Sequence, residues 1–214
     1  MAWKNLKQRS LADSMIVDHD AVKALDELNA LIDWSQVEGL LSGIHAKSRG
    51  EKAWPPLLMF KALLLQSWYN LSDPRLEQQL ARDLLFRRFV ALDLSEKVPD
   101  HSTFWRFRQT LEQQGLLSDL LDEVNEQLSA RRIANRITKR AYRNRPLTKE
   151  EKAFNRMHAS VRSTVERVFG VLKQHYGMAK ARYLGLARNH TRFQLMCVAH
   201  NIKRGVSIAQ ASCV

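Results

Sequence analysis

The amino-acid sequence predicts an all-α chain, and three observations carry that expectation. Apolar residues recur at steps of three and four in segment after segment, capping residues and prolines stand where helices should begin, and no stretch shows strand alternation of comparable quality. The predicted architecture is an N-terminal helical domain over residues 1–133, followed by a basic arm and two long helices over residues 134–214.

In the first part, Val22, Leu25, Leu28 and Leu31 recur at three-residue steps and suggest one helix. Trp54-Pro55-Pro56 opens a strongly apolar segment ending near Tyr69, with prolines tolerated in a first turn, and this segment should be the core helix. Ser72 or Asp73 can cap the next helix, in which Leu76, Leu80 and Leu84 form one stripe. After the break at Val98-Pro99-Asp100, Ser102 can cap a helix that buries Phe104, Phe107 and Leu111 and turns Thr103, Arg106 and Gln109 outward. Two short helices, a turn and a third helix bearing Arg and Gln fit a helix-turn-helix that reads a DNA groove. A plain helical bundle shows the same pattern. Leu116 to Leu128 gives one more helix.

The segment ANRITKRAYRNRPLT, residues 134–148, is basic and poor in core residues, and reads as a linker or exposed arm. Thr148 with Glu151 forms a capping box, and Phe154, Met157, Val161, Val165, Val168, Leu172 and Tyr176 follow as a single helical stripe. Gly177 suits the end of that helix. A final helix is expected from about Arg188 to Val206, with Leu195, Ala199 and Ile202 inward.

Charge divides the chain sharply. Its net charge is +12, yet residues 1–133 carry 17 Lys and Arg against 19 Asp and Glu, whereas residues 134–214 carry 17 against 3. A positive field confined to one segment suits a polyanion such as a nucleic-acid backbone; a merely solvated basic face is the plainer alternative. Arg143, Arg145, Arg156, Arg188 and Arg182, the last beside Tyr183 and Lys180, are candidate DNA contacts in this half. An anionic membrane fits less well, because the basic half has no Trp and no strongly apolar face flanked by lysines.

Only Cys197 and Cys213 are present, without metal-ligand spacing, and the seven histidines are scattered. The opening MAWKNLKQRS lacks a signal-peptide core, and Lys61 interrupts the longest apolar stretch. A cytoplasmic, nucleoid-associated protein is expected. No phosphate-binding loop, dinucleotide fingerprint or nucleophile elbow occurs.

Asn155, Arg162, Glu166 and Lys173 are spaced by 7, 4 and 7, so they lie within about 40° of one another on a helix. A carboxylate between two cations could help hold a divalent metal while Arg and Lys grip phosphates. A solvated row of ion pairs, Arg162 with Glu166, is the plainer account of the spacing taken alone.

The stretch from Asn144 to Arg204 resembles the C-terminal end of bacterial DDE-class insertion-sequence transposases, of the insertion-sequence-five type. Arg162, Glu166 and Lys173 match the family's R-x3-E-x6-K signature, although Ala159 replaces the tyrosine that often stands three residues before the arginine. SLADSMIVDHDAVKALDELNALIDW, WPPLLMFKALLLQSWYNLSDPRLEQQLARDLLFRRFVAL and VPDHSTFWRFRQTLEQQGLL resemble the family's N-terminal helical domain.

The resemblance implies Glu166 as the third catalytic acid and metal ligand, magnesium as cofactor, and transposon terminal inverted repeats as the DNA partner. It also implies two aspartates on an RNase H-like sheet. This chain has no aspartate after Asp122 and passes from LSARRI directly to ANRITKR, so the sheet is missing and an internal deletion is expected. One helical glutamate cannot seat a pair of divalent ions. Glu166 would then bind metal only if partners were supplied, and the chain alone would hold none. Three readings follow: a DNA-binding protein inactive alone; a metal-dependent nuclease completed by an intact copy or by a rebuilt site using Asp93 or Asp100; or a helical remnant without function. Apolar stripes that no longer cover a sheet must pack on each other, on the first domain or on another copy, so a homo-oligomer or a hetero-oligomer with intact transposase is expected.

Overall fold

A computed structural model describes residues 19–44, 53–130, 148–157 and 162–211. Every regular element among them is a helix, and no strand occurs there. The order is α1 (Asp20–Lys23), α2 (Asp26–Leu31), α3 (Trp34–Leu41), α4 (Pro56–Trp68), α5 (Asp73–Arg82), α6 (Leu84–Val90), α7 (His101–Gln113), α8 (Leu116–Ala130), α9 (Lys149–Met157), α10 (Arg162–His175) and α11 (Leu186–Ala211).

The core helix is α4. Apolar on nearly every side, with Lys61 and Gln66 the buried exceptions, it is buried from Leu58 to Gln66 and again at Trp68, as expected of a helix enclosed by its neighbours. Helices α3, α5, α6, α7 and α11 pack against it. Pro56 stands in the first turn, where its missing N–H costs nothing.

Local chemistry moved several predicted boundaries. Residues 20–31 form two short helices, with Ala24 and Leu25 between them, yet Leu25, Leu28 and Leu31 all reach the core. Leu84 leaves the stripe of Leu76 and Leu80: the extended backbone at Asp83 ends α5, and its carboxylate accepts from the Leu85 and Phe86 amides to start α6. Leu84 is consequently exposed, whereas Leu76 and Leu80 are fully enclosed. Ser72 occupies the position before α5 without a capping hydrogen bond from its side chain. Asp100, not Ser102, caps α7, accepting from the Thr103 amide at 2.6 Å and the Ser102 hydroxyl at 2.8 Å. Phe104, Phe107 and Leu111 face inward as expected, but Thr103 is half-buried.

The C-terminal helices complete the core of the preceding ones. α11, longer at both ends than its sequence pattern suggests, packs on α8, α4, α2 and α7. Its Leu195, Met196, Val198, Ala199 and Ile202 join Leu172 and Tyr176 of the α10 stripe in one continuous apolar cluster with α4 and α8. Each large side chain buried there contributes roughly 1.5–3 kcal/mol before entropy is counted. Leu172, Tyr176 and the inward residues of α11 thus share one core with the first half of the chain. Phe154, Met157, Val161 and Val165 of the predicted stripe, and the capping role of Glu151, lie outside the described side chains.

Candidate nucleic-acid interface

Two segments far apart in sequence meet on one face. The first is α7, whose outward side presents Trp105, 40% exposed, with Arg106 exposed beside it and Gln109 half-buried. Arg106 is steadied along its own helix by the Ser102 carbonyl and hydroxyl and by the Thr103 hydroxyl, at 3.2–3.3 Å. The second is the turn from Met178 to Gly185 with the first turn of α11. A shallow cleft between them is lined by Trp105, Gln109, Glu112, Tyr183, Arg188 and Thr191. Gln109 and Arg188, singled out separately as DNA contacts, therefore line the same cleft.

Beneath this face lies an arginine cluster. Arg108 points inward from α7 and pairs with Asp73 at the start of α5, while Gln66 of α4 bonds both residues. The Arg108 guanidinium lies 5.3 Å from the centre of the Tyr183 ring. Arg182 donates to the Leu71 carbonyl at 2.7 Å and to Asn70 Oδ1 at 2.8 Å. Arg192 donates to the carbonyls of Lys180, Tyr176 and Gly177, tying the turn to the end of α10. Those Arg182 and Arg192 bonds go to neutral oxygens, so they fix geometry without cancelling charge. Burial, and then the charge of Arg182, lowers the Arg192 pKa; burial raises that of Tyr183.

Gly177 makes the close approach between these layers possible. It has φ +66, and a Cβ added there would lie 2.6 Å from Asn70 Oδ1, so both its backbone and its surroundings call for glycine. Asn70 itself has φ 50, the left-handed conformation that asparagine tolerates.

The remaining predicted residues are dispersed. Arg156 is exposed on α9 and Lys173 is exposed on α10. Arg162 and Glu166 stand on the backbone of α10, four residues apart, with side chains outside the description, and Arg143 and Arg145 lie outside the described residues. Sequence reasoning overlooked Trp105, Arg108 and Arg192; only the density of cations from Lys180 to Arg192 hinted at the last.

Two family models match the chain. The model described as Transposase domain (DUF772) matches residues 12–110, and one described as Transposase DDE domain matches residues 121–206. No solved structure matches. Both halves of this helical chain are thus similar to transposase domains. The second match narrows that similarity to the DDE type.

A DDE domain implies a divalent metal in the family. The described residues do not fit one: no group of three or more His, Cys, Asp or Glu side chains among them is arranged to hold an ion. Asp100 is engaged in the α7 cap, and Asp93 accepts from the Ser95 amide and hydroxyl. Asp73 is held by Arg108. No described helix is long and apolar enough to cross a membrane.

Proposed function

We propose that this chain binds the terminal inverted repeats of an insertion-sequence element without cutting them by itself, as an internally deleted transposase of the insertion-sequence-five type. It acts by occupying transposon ends, or by blocking an intact transposase there, alone or in a homo- or hetero-oligomer. The observation that carries this reading is the cleft that gathers Trp105 and Gln109 of α7 with Arg188 of α11. The C-terminal side of the cleft is basic, since no Asp or Glu follows Glu166 in the sequence, while Glu112 stands on the α7 side.

In this reading Arg188, Arg182, Arg106 and Lys173 hold phosphates, and Gln109 reads a base edge. Arg156, Arg143, Arg145 and Arg162 extend the phosphate track. Glu166 remains an orphan acid, because phosphodiester cleavage by paired metal ions needs several oxygen ligands in one place. No step through a metal is assigned to this chain, which acts as a nucleoid-associated cytoplasmic protein.

Fluorescence anisotropy with a terminal-repeat duplex and a random duplex, across a salt series, tests the proposal. Tight, salt-sensitive binding with preference for the repeat is expected. Arg188→Ala should reduce the salt slope by about one, and Gln109→Ala should narrow the gap between the two duplexes. Absence of binding at low salt would overturn the reading.

A further inference from the structure

Leu184, in the turn before α11, and Leu186, the first residue of α11, are 91% and 92% exposed, more than any other large hydrophobic residue described. A single exposed leucine is ordinary on a protein surface. Here two stand on either side of Gly185, whose φ of +95 forms a bend that other residues rarely adopt.

The backbone under them is fixed. Asn189 Nδ2 donates to the carbonyls of Tyr183 at 2.6 Å and Gly185 at 2.8 Å, and the Tyr183 amide donates back to Asn189 Oδ1 at 3.4 Å. On the near side, Arg182 is anchored to Leu71 and Asn70, and Arg192 holds the Lys180 carbonyl. The two leucines are thus presented on a braced projection.

Chemistry selects what such a projection meets. Lys180, Arg182 and Arg188 are exposed around it. Arg182 has five N–H groups, more than its bonds to Leu71 and Asn70 use. Two leucines ringed by cations are far too small for a stable protein interface, which buries about 800 Å² on each partner. They have the size and surroundings of an apolar wedge that enters a DNA base step while cations hold the flanking phosphates.

We infer that Leu184 and Leu186 form a wedge that unstacks a base step in bound duplex DNA, with Arg182 and Arg188 on the flanking phosphates. The inference rests on the DNA-binding function proposed above. Insertion costs unstacking energy, so DNA whose stacking is already broken should bind more tightly.

The test compares a short, fully paired random-sequence duplex with the same duplex carrying one mispaired step, at low salt. The native chain is expected to bind the mispaired duplex roughly tenfold more tightly. The double variant Leu184→Ser/Leu186→Ser should lose the preference for the mispaired duplex, whereas Leu184→Met/Leu186→Met should retain it. Unfolding midpoints of both variants should match the native chain, because the side chains are exposed. Equal binding of both duplexes by the native chain, or a preference that survives in the serine variant, would overturn the wedge alone. Failure to bind either duplex would overturn the DNA-binding function and the wedge with it.

Discussion

Trp68 Nε1 donates to the carbonyl oxygen of Ala199 at 2.6 Å, a buried bond between the C-terminal end of α4 and the middle of α11. It joins the segments matched by the two transposase models, and the Trp68 ring also meets Phe89 edge-on at 5.3 Å. The two halves should therefore unfold together. Trp68→Phe removes the donor but keeps an aromatic ring, and should cost about 1–2 kcal/mol in thermal unfolding followed by circular dichroism. Two separate transitions in the native chain would contradict the shared core.

Gly177→Ala should destabilise by more than the roughly 1 kcal/mol typical of an incompatible glycine site, because strain and collision with Asn70 act together. In an Asn70→Gly background the collision is removed and only the backbone strain remains. A denaturant double-mutant cycle should therefore give a smaller cost for Gly177→Ala in that background.

The Arg108–Asp73 pair is nearly enclosed, with side-chain exposures of 8% and 18%. Asp73→Ala strands a buried guanidinium beside Gln66 and should cost about 3–5 kcal/mol. Arg108→Met combined with Asp73→Leu, which removes both charges, should cost less than either single change. Urea unfolding of the three variants checks the order.

Lys61 is buried in α4, 2.8 Å from Asn29 Oδ1 and 4.3 Å from the Trp34 ring centre, with Phe89 also in range. Burial lowers its pKa from 10.5 to about 8, despite the opposing charge of Glu38. Below pH 8 both folded and unfolded lysine are charged, so the full cost of burying the cation is present. Between about pH 8 and 10.5 the folded state releases its proton first, and this group's contribution to stability rises by roughly 3 kcal/mol. Subtracting the pH profile of Lys61→Met from that of the native chain should isolate this rise. A flat difference across that window would refute it.

The helices were legible because burial imposes its own period. Leu76, Leu80, Phe104, Leu111, Leu195, Ala199 and Ile202 lie in the core where their spacing puts them. Leu84 was misplaced because a repeat of four cannot reveal that Asp83 gives its carboxylate to a new helix. The candidate interface was legible only in pieces. Nothing local links Gln109 to Arg188 or Asp73 to Arg108, since tertiary packing creates both relations. Leu184 and Leu186 were missed because exposed apolar residues at a turn leave no periodic trace.

If the chain engages DNA without cutting it, as proposed above, plasmid nicking is the decisive assay. Supercoiled plasmid incubated with purified chain and magnesium, free of any full-length transposase, should remain supercoiled under conditions where the protein is bound. Magnesium-dependent nicking that Glu166→Ala abolishes would contradict the account.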